Sequence, residues 1–203
     1  MAKRANKQMG QRGAGNALNA PEAQPPRIED VPGNEHVKRA IEVALVGDHS
    51  IGIRCDAGNW ENSMKLATFA RSHGLIVEVS TPIPYDDPAD AFSASGDIVV
   101  DAPRVKDYKL KETRGWRETD VMVLARVAAA RARISGVLAN AVVDEWGSIM
   151  LDLALDQGFL PPERLEIVLN VARAIAALGS NDFIGAADVA EALQYQPLKN
   201  PEQ

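Results

Sequence analysis

The stretch Ser50-Ile51-Gly52-Ile53-Arg54 reads as a short strand, Cys55-Asp56-Ala57-Gly58-Asn59 after it is turn-prone, and Trp60 to Ser72 has the pattern of a helix closed by Gly74. Leu75 to Ser80 then predicts a buried strand, which completes a strand, helix, strand unit. Its crossover is right-handed if the two strands run parallel in one sheet. Working upstream, structure is expected from Ile28, and Asn34 stands as N-cap of a helix whose apolar face is Val37, Ile41, Ala44 and Leu45, stopped by Gly47. Downstream, a proline-punctuated run, Thr81 to Pro88, leads through Ala89 to Ala94 into a third strand, Asp97 to Ala102.

After Pro103 the composition changes. Lys106 to Lys111 is a basic linker, and everything beyond it is expected to be helical. Val121, Leu124, Ala128 and Ala132 are expected to line one helix, and Trp146, Ile149, Met150, Leu153 and Ala154 a second, ended by Gly158. A third helix has Pro162 in its first turn and carries Leu165, Val168, Leu169, Ala172 and Ala176 before Gly179; a short fourth covers Ala186 to Tyr195. Stripes at three- and four-residue spacing are the mark of a shared helical core. The fold class is therefore α/β followed by all-α.

The 203 residues, 46% apolar and 25% charged, suit one domain or two small ones. No apolar run reaches the roughly 18 residues of a membrane span, and Met1 to Gln8 is too polar for a secretion signal, so no membrane contact and a cytoplasmic location are expected. One cysteine, Cys55, excludes an internal disulfide, and no Cys/His pair has zinc-ligand spacing. The formal charge of −6 is unevenly laid out: the first 27 residues carry Lys3, Arg4, Lys7, Arg12 and Arg27 against Glu22 alone. Gly, Asn, Gln, Ala and Pro dominate this arm, which reads as disordered, with a weak nucleic-acid or partner contact as its functional alternative to a solubilising tail. The acidic body repels phosphate backbones.

Three segments carry a resemblance. Ile28-Glu29-Asp30-Val31-Pro32-Gly33-Asn34-Glu35-His36-Val37-Lys38-Arg39-Ala40-Ile41-Glu42-Val43-Ala44 opens the ordered region. Asp97-Ile98-Val99-Val100-Asp101-Ala102-Pro103-Arg104-Val105 joins its two halves. Val171-Ala172-Arg173-Ala174-Ile175-Ala176 and Asp188-Val189-Ala190-Glu191-Ala192-Leu193-Gln194-Tyr195 close it. In that order they resemble the opening segment, the core-to-lid joint and the lid signature of the magnesium-chelatase I-subunit and competence-associated helicase group of AAA+ ATPases. The resemblance implies a reduced, AAA+-like three-layer α/β core over 28–105, a helical magnesium-chelatase-type lid over 106–198 and a tail over 199–203. ATP and magnesium are implied by the resemblance alone.

The chemistry of that family needs a loop of the form G-x-x-x-x-G-K-[ST], whose glycines let backbone N–H groups curl around phosphates while the lysine neutralises charge and the hydroxyl holds magnesium. Here Cys55 and Trp60 stand at the two glycines, Glu61 at the lysine and Asn62 at the hydroxyl, with only Gly58 left to flex. A carboxylate in place of lysine reverses the sign of the interaction with triphosphate. The strand that should end in a metal-holding carboxylate pair is missing, since Leu75 to Ser80 with its following turn resembles the later sensor strand. Glu78 within it reads as an edge or strand-end acid. The lid arginine is replaced by Glu163 in Pro161-Pro162-Glu163-Arg164, and Arg164, one residue on, is turned by about 100°. Arg173 matches a family arginine and reads as structural. A vestigial nucleotide site would comprise Gly33, Asn34, Asp56, Gly58, Arg164 and Arg173, with no cofactor expected to bind in the usual mode.

Of the remaining candidates, His36, His49 and His73 read as surface or capping residues, and Cys55 as an inert thiol. Asp86, Asp87 and Asp90 lack the spacing of a calcium loop. Arg126, Arg131 and Arg133 form the best local basic patch, a solvated face or a contact with an acidic partner or nucleic acid. The expected function is a non-hydrolysing interaction or regulatory protein whose partner could be an intact AAA+ relative. An ATP-binding AAA+ ATPase or DNA-remodelling protein, and a nucleic-acid-binding accessory protein, are the alternatives.

Overall fold

The computed structural model describes residues 25–81, 96–104 and 118–196. The arm residues Lys3, Arg4, Lys7 and Arg12, the Asp86/Asp87/Asp90 cluster, the Lys106 to Lys111 linker and the proposed boundary at residue 105 lie outside them.

Helix α1 (Glu35–Gly47) buries Val37, Ala40, Ile41, Val43, Ala44, Leu45 and Val46. Apolar residues on more than one side suit a helix wedged between other elements; α1 packs on the sheet and on two helices of the bundle. Asn34 holds the N-cap position, but not as expected. Its backbone is left-handed (φ 54°) after Gly33 (φ 72°), and its side chain makes no capping bond. Asparagine tolerates that conformation better than most residues.

Strands β1 (Ile51–Cys55), β2 (Val77–Ser80) and β3 (Ile98–Ala102) form a parallel sheet in the order β2-β1-β3, with Ile51 opposite both Val77 and Ile98. Successive residues of a strand point to opposite faces, so burial of Ile51, Gly52 and Ile53 in a row means that the central strand is covered on both sides. Helix α2 (Trp60–Ser72) makes the crossover from β1 to β2, burying Leu66, Ala67, Phe69 and Ala70. Its bounds are those predicted from the sequence. β2 departs from the expected buried strand: Val77 is buried, but Ile76 just before it is 79% exposed and Glu78 is exposed. The run sits at an edge of the sheet, where one face lacks cover. The other edge is capped, because Val99 N–H of β3 donates to Tyr195 O at 2.8 Å.

Among the described residues four α-helices follow: α3 (Asp120–Ser135), α4 (Glu145–Asp156), α5 (Leu165–Leu178) and α6 (Ala186–Gln194). α5 is the axis of the bundle, packed by α1, α3 and α6. Val168, Val171, Ala172, Ala174, Ile175, Ala176 and Ala177 are all buried along it, and the alanines let the neighbouring helices come close. The buried apolar residues run as one cluster from the sheet through α1 and α5 into the bundle.

Two predicted helix faces are corrected. α3 buries Val123, Val127 and Ala130, while Val121, Ala128 and Ala132 are exposed. α4 buries Gly147, Leu151 and Ala154, and leaves Trp146, Ile149 and Leu153 outside. Both helices carry alanine, valine or leucine on more than one side, so their rotation is set by what meets α1, α5 and α6. Gly147 shows how for α4: a Cβ there would come within 2.7 Å of Val143 Cγ1 and 3.3 Å of Val189 Cγ2. The tightest of these contacts is with Val143, just ahead of α4, and on the α6 side a Cβ would have to push Val189 back by a few tenths of an ångström.

Candidate functional site

In an open parallel sheet, ligands bind beyond the C-terminal strand ends, where the chain leaves the strands in opposite directions. Here that point lies between β1, whose chain crosses to β2, and β3 on its other side. The crevice is stitched shut. Arg104 N–H, just past β3, donates to Asp56 Oδ2 at 3.0 Å, and Asn59 Nδ2 donates to Ala102 O at 3.0 Å. Arg54 Nε bonds Asp101 Oδ1 at 2.7 Å across the two strands, and His36 Nε2 donates to Asp101 O at 2.5 Å.

The connection from β1 to α2 is a single 3-10 turn, Ala57–Asn59, running straight into the helix. Asn59 N–H donates to Asp56 O at 2.8 Å and Trp60 N–H to Ala57 O, so these donors face inward and cannot ring an anion. Glu61 pairs with Lys65 at 2.7 Å on the exposed side of α2. The loop therefore does not fit a triphosphate with its magnesium. One cation stands beside it that the sequence did not single out: the stem of Arg104 lies over Gly58, with Cδ 3.2 Å from where a Cβ would be.

No family model and no curated protein matches this chain.

Of the six expected nucleotide-site residues, Gly33 and Asn34 precede α1 and Asp56 and Gly58 lie in the turn after β1, while Arg164 is at the opposite end of the sheet. Its Nε donates to Gln196 Oε1 at 2.6 Å, and Nη2 to Gly96 O and Asp97 O at 2.9 and 3.0 Å, immediately before β3. There it clamps the bundle to the start of a strand. Arg173, within α5, donates to Asn170 Oδ1 at 2.8 Å. Asn34 is buried with neither amide atom partnered.

The three arginines of the expected basic patch all have partners inside the molecule. Arg126 forks onto Glu118 (2.9 and 2.6 Å) and also bonds the buried Glu42. Arg131 Nε donates to Leu45 O at 2.8 Å, and Arg133 to Asn181 O and Asp182 Oδ1 at 2.7 and 2.6 Å. The network continues from Glu42 to Arg39 (3.9 Å), from Arg39 to Glu191 (2.9 Å) and from Tyr195 Oη to Glu191 (3.0 Å). Burial holds Glu42 above the ordinary carboxylate value despite Arg126. Sequence spacing could not show these pairs, since Arg126 and Glu42 are 84 residues apart.

Cys55 is buried at the end of β1. His73 caps α2, donating to Phe69 O at 2.8 Å. His49 is buried rather than on the surface, with Nε2 unpartnered and Nδ1 3.7 Å from Asp97 Oδ2. Burial lowers its pKa, outweighing the Asp97 carboxylate. The unfolded chain then binds this proton more tightly than the folded one, so the contribution of His49 to stability is full above 6.5, the ordinary histidine value, and is lost as the pH falls below it. Thermal midpoints are expected to drop on acidification from about pH 7.5 to about pH 5.5, and the drop to shrink in His49→Gln. An equal drop in both proteins would remove His49 as its source.

Proposed function

We propose that this chain is a non-hydrolysing interaction or regulatory module on a reduced magnesium-chelatase-like AAA+ plan, with the helical bundle in the place of the lid. The observation that carries this reading is the closed crevice at the C-terminal ends of β1 and β3, where the N–H groups of Asn59 and Trp60 are spent within the turn and the first turn of α2 carries Glu61 and no lysine. What remains is a packed scaffold with helical faces, which is what such modules use to associate. Its partner is a protein, for which an intact AAA+ relative is the first candidate. Among the described residues no helix is long and apolar enough to cross a membrane.

Isothermal titration of the full chain with ATP and magnesium is expected to be silent, and addition of the chain to an intact AAA+ relative to change the relative's ATPase rate. Saturable heat together with ATP turnover would sink the proposal. Arg104 over Gly58 favours a second reading, a weak nucleotide or anion contact without hydrolysis. That reading predicts weak heat that Arg104→Ala abolishes.

A further inference from the structure

Helix α4 has two apolar faces, and the described residues cover only one of them. Gly147, Leu151 and Ala154 face the core, chiefly α6. At about 100° per residue, Trp146, Ile149 and Leu153 fall on a second stripe about a third of a turn round the helix. They are 70%, 41% and 52% exposed. The chain leading into α4 adds to the exposed apolar surface. A parallel bridge pairs Val143 with buried Ile184, and Val142 and Phe183, one residue earlier on each side, are both exposed. Single exposed apolar residues are ordinary, but a tryptophan with two aliphatics at i, i+3 and i+7 on one helix has the spacing by which a helix receives another.

The charge around this stripe selects its occupant. Between Arg133 and Arg164 the chain has Asp144, Glu145, Asp152, Asp156 and Glu163 and not one Lys, Arg or His. On α4 itself Glu145, Asp152 and Asp156 fall along one row beside Ile149 and Leu153, and all three are exposed. A second copy of the patch would bring carboxylate to carboxylate with no cation to answer, and an anionic membrane or nucleic acid would be repelled. A cationic partner with its own apolar stripe answers both features at once.

We infer that the outer face of α4 is a docking surface for a basic amphipathic helix of a partner protein, with Trp146 as its anchor. This rests on the interaction-module reading and names the surface and the chemistry of its partner. Tryptophan is favoured at such positions because it buries much area with few rotors, and the flanking acids set orientation and rate of encounter.

The test titrates the full chain into two labelled, amidated peptides with leucines at helical spacing, one filled with lysine and one with glutamate, followed by fluorescence anisotropy. The Leu/Lys peptide is expected to bind saturably and more weakly as salt rises. Trp146→Ala is expected to weaken it about 30-fold without moving the thermal midpoint, since the indole is mostly in solvent. Asp152→Lys with Asp156→Lys, both exposed and near the helix C-terminus where cations are tolerated, is expected to reject the Leu/Lys peptide and admit the Leu/Glu one. Equal binding of both peptides by the unaltered protein, no binding of either, or Leu/Lys binding indifferent to Trp146→Ala overturns the proposal. So does a dimer in sedimentation that Trp146→Ala dissolves, which makes the occupant a second copy. The ATP titration answers separately: a chain that turns over ATP yet binds the Leu/Lys peptide through Trp146 keeps this surface and loses only the non-hydrolysing reading.

Discussion

Replacing Arg126 by Met is expected to lower stability by about 2–4 kcal/mol, whereas replacing its partner, Glu42→Gln, is expected to cost less than about 1 kcal/mol. The asymmetry follows from burial. Glu42 is 7% exposed at its side chain, against 37% for Arg126 and 42% for Glu118. The outer pair, Arg126 with Glu118, is worth little in a solvated setting. Without Arg126, the Glu42 carboxylate keeps, among the described residues, only the cation of Arg39, 3.9 Å away and already forked onto Glu191. A buried charge with half its partners gone is the costly case, while Gln retains an acceptor and carries no charge to desolvate. The double substitution should therefore recover most of the Arg126→Met loss in urea denaturation, a coupling well above 0.5 kcal/mol. Costs that simply add would refute the account.

The same experiment has a pH signature. Burial already raises the Glu42 pKa, so between 4.5 and that raised value the folded chain holds the proton more tightly than the unfolded one, and stability from this group grows as the pH falls. Losing Arg126 raises the value further. The Arg126→Met deficit is expected to be widest near neutral pH and to narrow toward about pH 5.

Arg164→Ala is expected to cost about 2–3 kcal/mol, and Arg164→Lys to recover less than half of it. Three hydrogen bonds leave one guanidinium for Gln196, Gly96 and Asp97, tying the segment after α6 to the residues that lead into β3. Bonds from a charged donor are worth about 1.5–3 kcal/mol each in favourable settings, reduced here because the site is only partly buried. A lysine ammonium is a point charge and cannot span a side-chain amide and two carbonyls in the plane of a fork. Hydrogen exchange at Val99, whose N–H bonds Tyr195 O beside this clamp, should accelerate in Arg164→Ala. Unchanged melting, or full rescue by lysine, would show that Arg164 is not a clamp.

Local rules read much of this chain correctly. The bounds of α2, the strand at β1 and the strand at β3 follow from turn residues and short apolar runs, because such signals act within a few residues of one another. The absence of a G-x-x-x-x-G-K-[ST] loop after β1 was equally visible, since Trp60 and Glu61 differ from glycine and lysine in size and charge. The faces of α3 and α4 were not visible. Ala128, Ala132 and Leu153 are as apolar as the residues buried in their place, and only the approach of α5 and α6 selects between them.

By itself, then, the order of residues determined where the chain turns, which segments are helix or strand, and that the turn after β1 leads into Trp60 and Glu61 and not into a glycine and a lysine. Tertiary structure alone decided that Arg126 answers Glu42 across 84 residues, that Arg164 sits at the far end of the sheet from Gly58, and that Trp146 faces water. The reason is range. Backbone and turn preferences are settled among near neighbours, whereas burial and ion pairing depend on which distant surface arrives, and no spacing along the chain encodes that arrival.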